Sequence, residues 1–436
     1  MNFYSTNNKD LKVTFMEAVF NSLPADKGLY MPEIIPQMGA EFIKNLHFYN
    51  LSEIAFKVAK ALLDGAIPDD ELQKIVSATI NFDAPVVGIS DKIYVLELFH
   101  GPSLAFKDFG ARFMSRVMAY FMQQGEKELN VLVATSGDTG GAVALGFLGV
   151  PNTRVTILYP KGKVSPIQEL QLTTNLQNIR AIEIDGTFDD CQALVKKAFN
   201  DEDLKSHFRL TSANSINISR LIPQTFYYFY AYAQLQRRGI GDVIFSIPSG
   251  NFGNIAAGLL AFKMDLPIKQ FLAATNINDT VPSFLETGVY QAKPSVQTWS
   301  NAMDVGDPSN WVRIMDLFDG NMVELKKVLT AYSYTDEETL DAIKQVHAYH
   351  GYIMCPHTAI AYLAVKKWKS DNPEDTSSAI FLSTAHPCKF PDVFPEEIAK
   401  EIEIPPQVRD LEDKMQIRIS LQNDFESFKS YLLGYI

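Results

Sequence analysis

Lys107 stands in the run Leu104-Ala105-Phe106-Lys107-Asp108-Phe109-Gly110, a cation among apolar neighbours. Leaving water disfavours the ammonium form and lowers the pKa, and a neutral amine is what attacks a carbonyl carbon. Lys107 is therefore a candidate for an imine with an aldehyde cofactor. On this window alone a plainer reading stays open: a surface lysine at a helix start, its stem lying along apolar neighbours.

Two glycine-rich runs widen the chemistry. Ser249-Gly250-Asn251-Phe252-Gly253-Asn254 follows a strand-like run ending at Ile247-Pro248 and leads into a helix-like run at Ile255. Glycine lets backbone approach a ligand, and a new helix offers unpaired N–H groups and a positive dipole end. The run lacks the Gly-Lys-Ser/Thr ending of a nucleotide P-loop, and Gly250, Gly253 and Gly258 do not fit Gly-x-Gly-x-x-Gly. A monophosphate on a small cofactor fits better than a nucleotide; a purely structural turn is the bland alternative. Ala134-Thr135-Ser136-Gly137-Asp138-Thr139-Gly140-Gly141 repeats the arrangement with hydroxyls that suit a carboxylate. Asp138 is its odd member, because an ionised carboxylate repels an anionic ligand. Thr384 closes the apolar run Ile380-Phe381-Leu382-Ser383, which places it in the crevice where parallel sheets bind ligands. A hydroxyl facing a pyridine nitrogen leaves that nitrogen largely unprotonated. A desolvated lysine, a monophosphate cradle, a carboxylate loop and a strand-end hydroxyl are the parts of a pyridoxal-phosphate site.

The elements that must hold these parts are short. Strand-like runs occur at 93–96, 131–134, 155–158, 179–182, 243–247 and 380–382, with helical stretches between them. That alternation argues for an α/β fold with parallel sheet, in two lobes. Phe109, Phe113, Met114, Val117, Met118 and Phe121 form a helix face, with Asp108 placed to cap it. Pro223 to Tyr232, rich in aromatics, reads as a buried helix, and Thr335 to Glu338 as a capping-box start. Residues 1–90 look mainly helical apart from an extended Leu29-Tyr30-Met31-Pro32. The core then covers 91–389, and 390–436 forms a helical tail.

The formal charge of −12 opposes phosphodiester backbones and anionic lipid, so neither nucleic acid nor membrane is an expected partner. No apolar run reaches the roughly 18 residues that span a bilayer, and the polar N-terminus lacks a signal-peptide pattern. Three cysteines are too few for a disulfide framework, so a cytoplasmic protein is expected, monomer or homodimer.

The run Leu98-Phe99-His100-Gly101-Pro102-Ser103-Leu104-Ala105-Phe106-Lys107-Asp108-Phe109-Gly110 resembles the lysine motif of the threonine synthases. These belong to the tryptophan-synthase-β-like, fold type II pyridoxal-phosphate enzymes. The resemblance extends to Gly28-Leu29-Tyr30-Met31-Pro32, Ser136-Gly137-Asp138-Thr139-Gly140, Ser249 to Asn254 and Ser383-Thr384-Ala385-His386-Pro387. It implies a two-lobed core of parallel and mixed sheets with a mainly helical N-terminal domain. It also implies conversion of O-phospho-L-homoserine and water to L-threonine and phosphate. Lys107 would then hold pyridoxal 5'-phosphate as an imine and move protons once substrate displaces it. Gly250, Asn251, Phe252, Gly253 and Asn254 would hold the cofactor phosphate, with Thr384 at the ring nitrogen. Asp138 stands where many relatives carry asparagine, at the ring oxygen. Thr135, Ser136 and Thr139 would receive the substrate carboxylate, and Asn214, Ser215 and Arg220 its phosphate.

Three other readings compete. Cys355-Pro356-His357 and His386-Pro387-Cys388 invite a zinc site, but proline within each pair and the unfamiliar spacing weaken it, so no metal is expected. A catalytically silent relative is opposed by the intact lysine and loops. A serine/threonine dehydratase-like lyase would keep the cofactor and dispense with Arg220.

Overall fold

In the computed structural model, residues 1–122, 128–175 and 177–434 are described. Two sheets carry the core. The six-stranded sheet runs Leu329–Ser333, Gln270–Thr275, Val243–Pro248, Ser378–Ser383, Ile93–Glu97 and Val86–Ser90, parallel except for the last strand. The five-stranded sheet runs Ile419–Gln422, Ile179–Asp185, Thr153–Pro160, Leu129–Ala134 and Arg209–Ser212, all parallel. Every strand-like run read from the sequence lies within one of these strands. Leu129–Ala134, Val243–Pro248 and Ser378–Ser383 are buried along their whole length, as strands covered by helices on both faces must be.

A third sheet departs from the helical reading of the N-terminus. Asn2–Ser5 and Asn8–Thr14 form an antiparallel hairpin, with Tyr30–Pro32 on the other side of Asn2–Ser5. The second strand is polar and largely exposed, so its alternation of Leu11 and Val13 carries little apolar signal. Beyond it the expected helices stand. Leu51–Leu63 buries the stripe of Ile54, Ala55, Val58, Ala59, Leu62 and Leu63 and opens on an Asn50–Glu53 capping box. Removing such a cap costs about 1 kcal/mol.

The expected break at residue 90 falls in the hairpin that joins Val86–Ser90 to Ile93–Glu97. At the other end, Ile419–Gln422 pairs in parallel with Ile179–Asp185, so the 390–436 segment contributes a strand to a core sheet besides its helices. The aromatic helix is Gln224–Gln236, buried at nearly every position. Thr335 and Glu338 form the expected capping box for Asp336–His350.

One local expectation is corrected. The helix after the lysine motif spans Lys107–Phe121, with Phe106 before it and no side-chain cap. Asp108 lies inside the first turn, and its Oδ2 accepts from the N–H of Ser103 at 2.9 Å, tying the preceding loop to the helix.

Candidate active site

The loops that follow Leu129–Ala134, Val243–Pro248 and Ser378–Ser383 leave the C-terminal ends of strands from both sheets and meet at one cavity of about 270 Å³. All fourteen residues given above to the cofactor or the substrate line it: Lys107, Thr135, Ser136, Asp138, Thr139, Asn214, Ser215, Arg220, Gly250, Asn251, Phe252, Gly253, Asn254 and Thr384.

Lys107 reaches this cavity because its loop is stitched to the end of the central strand. The N–H of Leu98 donates to Ser383 O, that of Phe106 to Thr384 O, and that of His386 to Leu104 O. Leu104 takes a left-handed turn, φ 58°, to make the fit. The Lys107 side chain is half-buried, the rest of its surface lying on the cavity. Burial lowers its pKa to about 8; Asp138 opposes that shift, while Lys389 and Arg220 reinforce it. A substantial fraction of neutral amine near pH 8 is what bonding to an aldehyde requires.

The Thr135–Gly141 turn is organised from below. Thr135 Oγ1 accepts from the N–H groups of Gly137 and Gly140 at 2.9 and 2.8 Å, which leaves its own hydrogen as a donor to a ligand. Gly137 sits at φ 129°, and a Cβ there would collide with the Gln168 amide. Asp138 is 4% exposed. Its Oδ1 accepts from Gln168 Nε2 at 3.0 Å and pairs with Lys389 Nζ at 2.7 Å. Despite burial, the ammonium groups of Lys389 and Lys107 hold its carboxyl far below the usual range. Asp138 is therefore ionised, and the repulsion expected of it is answered by a buried cation.

The Ser249–Asn254 turn is held by neutral groups. Asn251 Nδ2 donates to Ser215 Oγ at 2.6 Å, while its Oδ1 accepts from the N–H of Ser309 at 2.6 Å. Asn254 Nδ2 donates to Pro248 O at 2.8 Å, and Phe252 turns left-handed at φ 58°. In the helix Gly253–Lys263 the N–H of Ile255 donates to Asn254 Oδ1, while those of Gly253 and Asn254 have no partner among the described residues and are open to an anion. Gly250 lies against Ala302 O and Met303 Cα, where a Cβ would stand 2.8 and 2.7 Å away.

Arg220 is 3% exposed, a buried cation and not a solvated one. Its Nη1 donates to Ala213 O, and Gly110 gives its guanidinium room to cross the lysine helix. Its Nε has no hydrogen-bond partner among the described residues. Thr384, 5% exposed, makes no side-chain hydrogen bond among the described residues. Three of these features fit pyridoxal phosphate: a glycine cradle at the start of a helix, an amine of lowered pKa and an unused hydroxyl.

Sequence reasoning missed three supporting residues. Lys389, fully buried, pairs with Asp138 and donates to Ser103 O at 2.9 Å. Gln168 braces Asp138 from beneath. Arg313, also fully buried, donates to the carbonyls of Tyr30, Ser215 and Ile216 and to Asn310 Oδ1. Thus the extended run at Tyr30 supports the loop that carries Ser215. A lysine inside the apolar Pro387-Cys388-Lys389-Phe390 was the one available signal.

The two Cys/His motifs do other work. His357, buried, accepts from the N–H of Ala302 at 3.2 Å, and burial pushes its pKa down to about 4. His386 accepts from the N–H of Cys388 and packs edge-on against Phe99. Among the described residues, no group of three or more His, Cys, Asp or Glu side chains is placed to hold a metal ion. No described helix is long and apolar enough to cross a membrane.

Comparison with known proteins agrees along the chain. Residues 2–80 match the family model described as threonine synthase N terminus, residues 81–383 the pyridoxal-phosphate dependent enzymes, and residues 358–432 the threonine synthase C-terminal model. The chain is 44% identical to the threonine synthase of Haemophilus influenzae over 99% of its own length and 100% of that protein's. It superposes on the crystal structure of threonine synthase from Escherichia coli with a TM-score of 0.91, 40% identity and full coverage of both chains. The pyridoxal-phosphate-bound threonine synthase of Brucella melitensis gives 0.90 at 34% identity, covering 100% of this chain and 99% of that one. Maize serine racemase, at 17% identity and a TM-score of 0.56, shares the fold alone. With all three family segments matched in order and full-length relatives on every side, the chain belongs to the threonine synthases, a family of pyridoxal-phosphate-dependent lyases.

Proposed function

We propose that the cavity converts O-phospho-L-homoserine and water to L-threonine and phosphate, with Lys107 as its catalytic amine. The observation that carries this reading is the meeting of Lys107, Arg220 and both glycine turns on one cavity. Pyridoxal phosphate, when bound, supplies the electron withdrawal that makes protons on the substrate carbons labile. Lys107 would hold it covalently, and the same amine, when free, would hold and deliver protons at Cα and Cβ of the substrate. The open N–H groups from Gly250 to Asn254 grip the cofactor phosphate. The Thr384 hydroxyl would face the ring nitrogen as a neutral partner.

Hydroxyls of Thr135, Ser136 and Thr139 take the substrate carboxylate. Asn214, Ser215 and Arg220 take its phosphate, with Arg220 as the buried cation on that side of the cavity. The overall change balances when phosphate leaves Cγ and the oxygen of water is added at Cβ. Residues 91–389 act as the catalytic core in this reading, with 1–90 and 390–436 buttressing it. Buried, unpaired Cys191, Cys355 and Cys388 suit a reducing cytoplasm.

Incubating the purified protein with O-phospho-L-homoserine tests the reaction. Threonine and phosphate are expected in equal amounts. Release of 2-oxo acid and ammonia from threonine, with no phosphate from phosphohomoserine, would replace this reading with the dehydratase one.

A further inference from the structure

Lys389 lies outside the cavity lining, yet it is 0% exposed and pairs with Asp138, which is on the lining. A buried ammonium is costly unless it is paired and hydrogen-bonded. Here Nζ meets Asp138 Oδ1 at 2.7 Å and Ser103 O at 2.9 Å, joining the anion-binding turn to the lysine loop. Gln168 Nε2 donates to the same carboxylate oxygen, so both braces use Oδ1. Asp138 Oδ2 has no hydrogen-bond partner among the described residues, and Asp138 lines the cavity.

We propose that Lys389 is a positioning residue for the reaction: its buried ammonium locks Asp138 by Oδ1 into a neutral pair, so that the Ser136–Gly140 turn can hold anionic ligands beside an aspartate. The inference rests on the pyridoxal-phosphate reading of the cavity. It has a consequence of definite sign at the nitrogen of Lys107. The charged and titratable groups acting there are Asp138, which favours a proton, and Lys389 and Arg220, which disfavour it. Asp108 and His357 flank them from the lysine helix and from the helix Pro356–Asp371. Removing one member of the pair exposes the other's charge, and the two removals act in opposite directions.

The experiment uses the holoenzyme and the pH midpoint of the visible band of its Lys107-bound cofactor. Asp138→Asn is expected to lower that midpoint and Lys389→Met to raise it, each by about one pH unit. The double variant Asp138→Asn/Lys389→Met returns to within a few tenths of a unit of the starting value, because it carries neither charge. Shifts of the same sign, or no shift in Lys389→Met, would overturn the proposal; a merely structural lysine moves stability and leaves the midpoint alone. If Lys389→Met is recovered only unfolded, the double variant decides. Cofactor affinity within about threefold of the parent supports a mutually compensating pair. A double variant as defective as the single one refutes it. Should the parent enzyme show no visible band dependent on Lys107, the cofactor reading fails first, and separately.

Discussion

The two glycine turns of the cavity have the same local architecture and opposite electrostatics. Each leaves the end of a buried parallel strand and opens a helix whose N-cap residue, Gly137 or Phe252, offers no side-chain cap. The 135–141 turn carries a charge and has that charge answered by a buried ion pair. The 249–254 turn is braced by neutral groups, the amides of Asn251, Asn254 and Asn310, backbone carbonyls and the Ser215 hydroxyl. A cradle meant for a dianion works best with free N–H donors and no fixed charge nearby. A turn beside the reacting amine gains from a charge pair, because small imbalances there change how tightly a proton is held. Chain geometry makes both turns possible; what surrounds them sets their chemistry.

Glycine substitution separates the two turns most strongly. In Gly250→Ala the new methyl meets backbone, Ala302 O and Met303 Cα, and backbone cannot step aside cheaply. Cofactor affinity should fall several hundredfold, about 3–4 kcal/mol, measured by titrating apoprotein with pyridoxal phosphate. In Gly137→Ala the methyl meets the end of the Gln168 side chain, which can move, although φ 129° still carries strain. The loss there should be smaller and should appear as a shifted visible band. An equal loss in both would erase the distinction drawn between them.

Arg313→Met comes next. It leaves the carbonyls of Tyr30, Ser215 and Ile216 without their donor in a buried place. Apoprotein stability should drop by about 3 kcal/mol, read as a lower urea midpoint. A drop below about 1 kcal/mol would mean that those carbonyls find other donors.

What was readable in the sequence divides along the same line. Lys107, the two turns and Thr384 were legible because each depends on neighbours in the chain: apolar flanks, glycine spacing, a strand just before. The parallel sheets were legible from runs such as Val243–Ile247 that are apolar throughout. Lys389 and Arg313 were not, because a buried cation differs from an exposed one only in distant partners, Asp138 for one and Tyr30 for the other. The N-terminal hairpin escaped because Asn8–Thr14 shows most of its side chains to solvent. Ile419–Gln422 escaped because four residues with half-buried alternation resemble any loop.

Thr135→Val probes the charged turn without touching its charge. The substitution keeps the shape and removes the oxygen that accepts from Gly137 and Gly140. Two N–H groups lose their partner, so stability should fall by about 2 kcal/mol, and Thr135→Ser should restore most of it. If Val and Thr prove equally stable in urea, the hydroxyl is there for the ligand and not for the turn.

The gentlest test asks what the charged turn does to Lys107. With its pKa lowered to about 8, the amine is roughly a tenth neutral at pH 7 and half neutral at pH 8. The neutral form attacks, so capture of pyridoxal phosphate by the apoprotein should quicken as pH rises. The expected gain is about fivefold from pH 7 to 8 and less than twofold from 8 to 9, as the titration completes. A lysine of ordinary pKa would gain about tenfold over each of those intervals. Stopped-flow absorbance at a fixed cofactor concentration separates the two curves. A rate still climbing tenfold above pH 8 would place Lys107 among solvated lysines and remove the reason for an ion pair beside it.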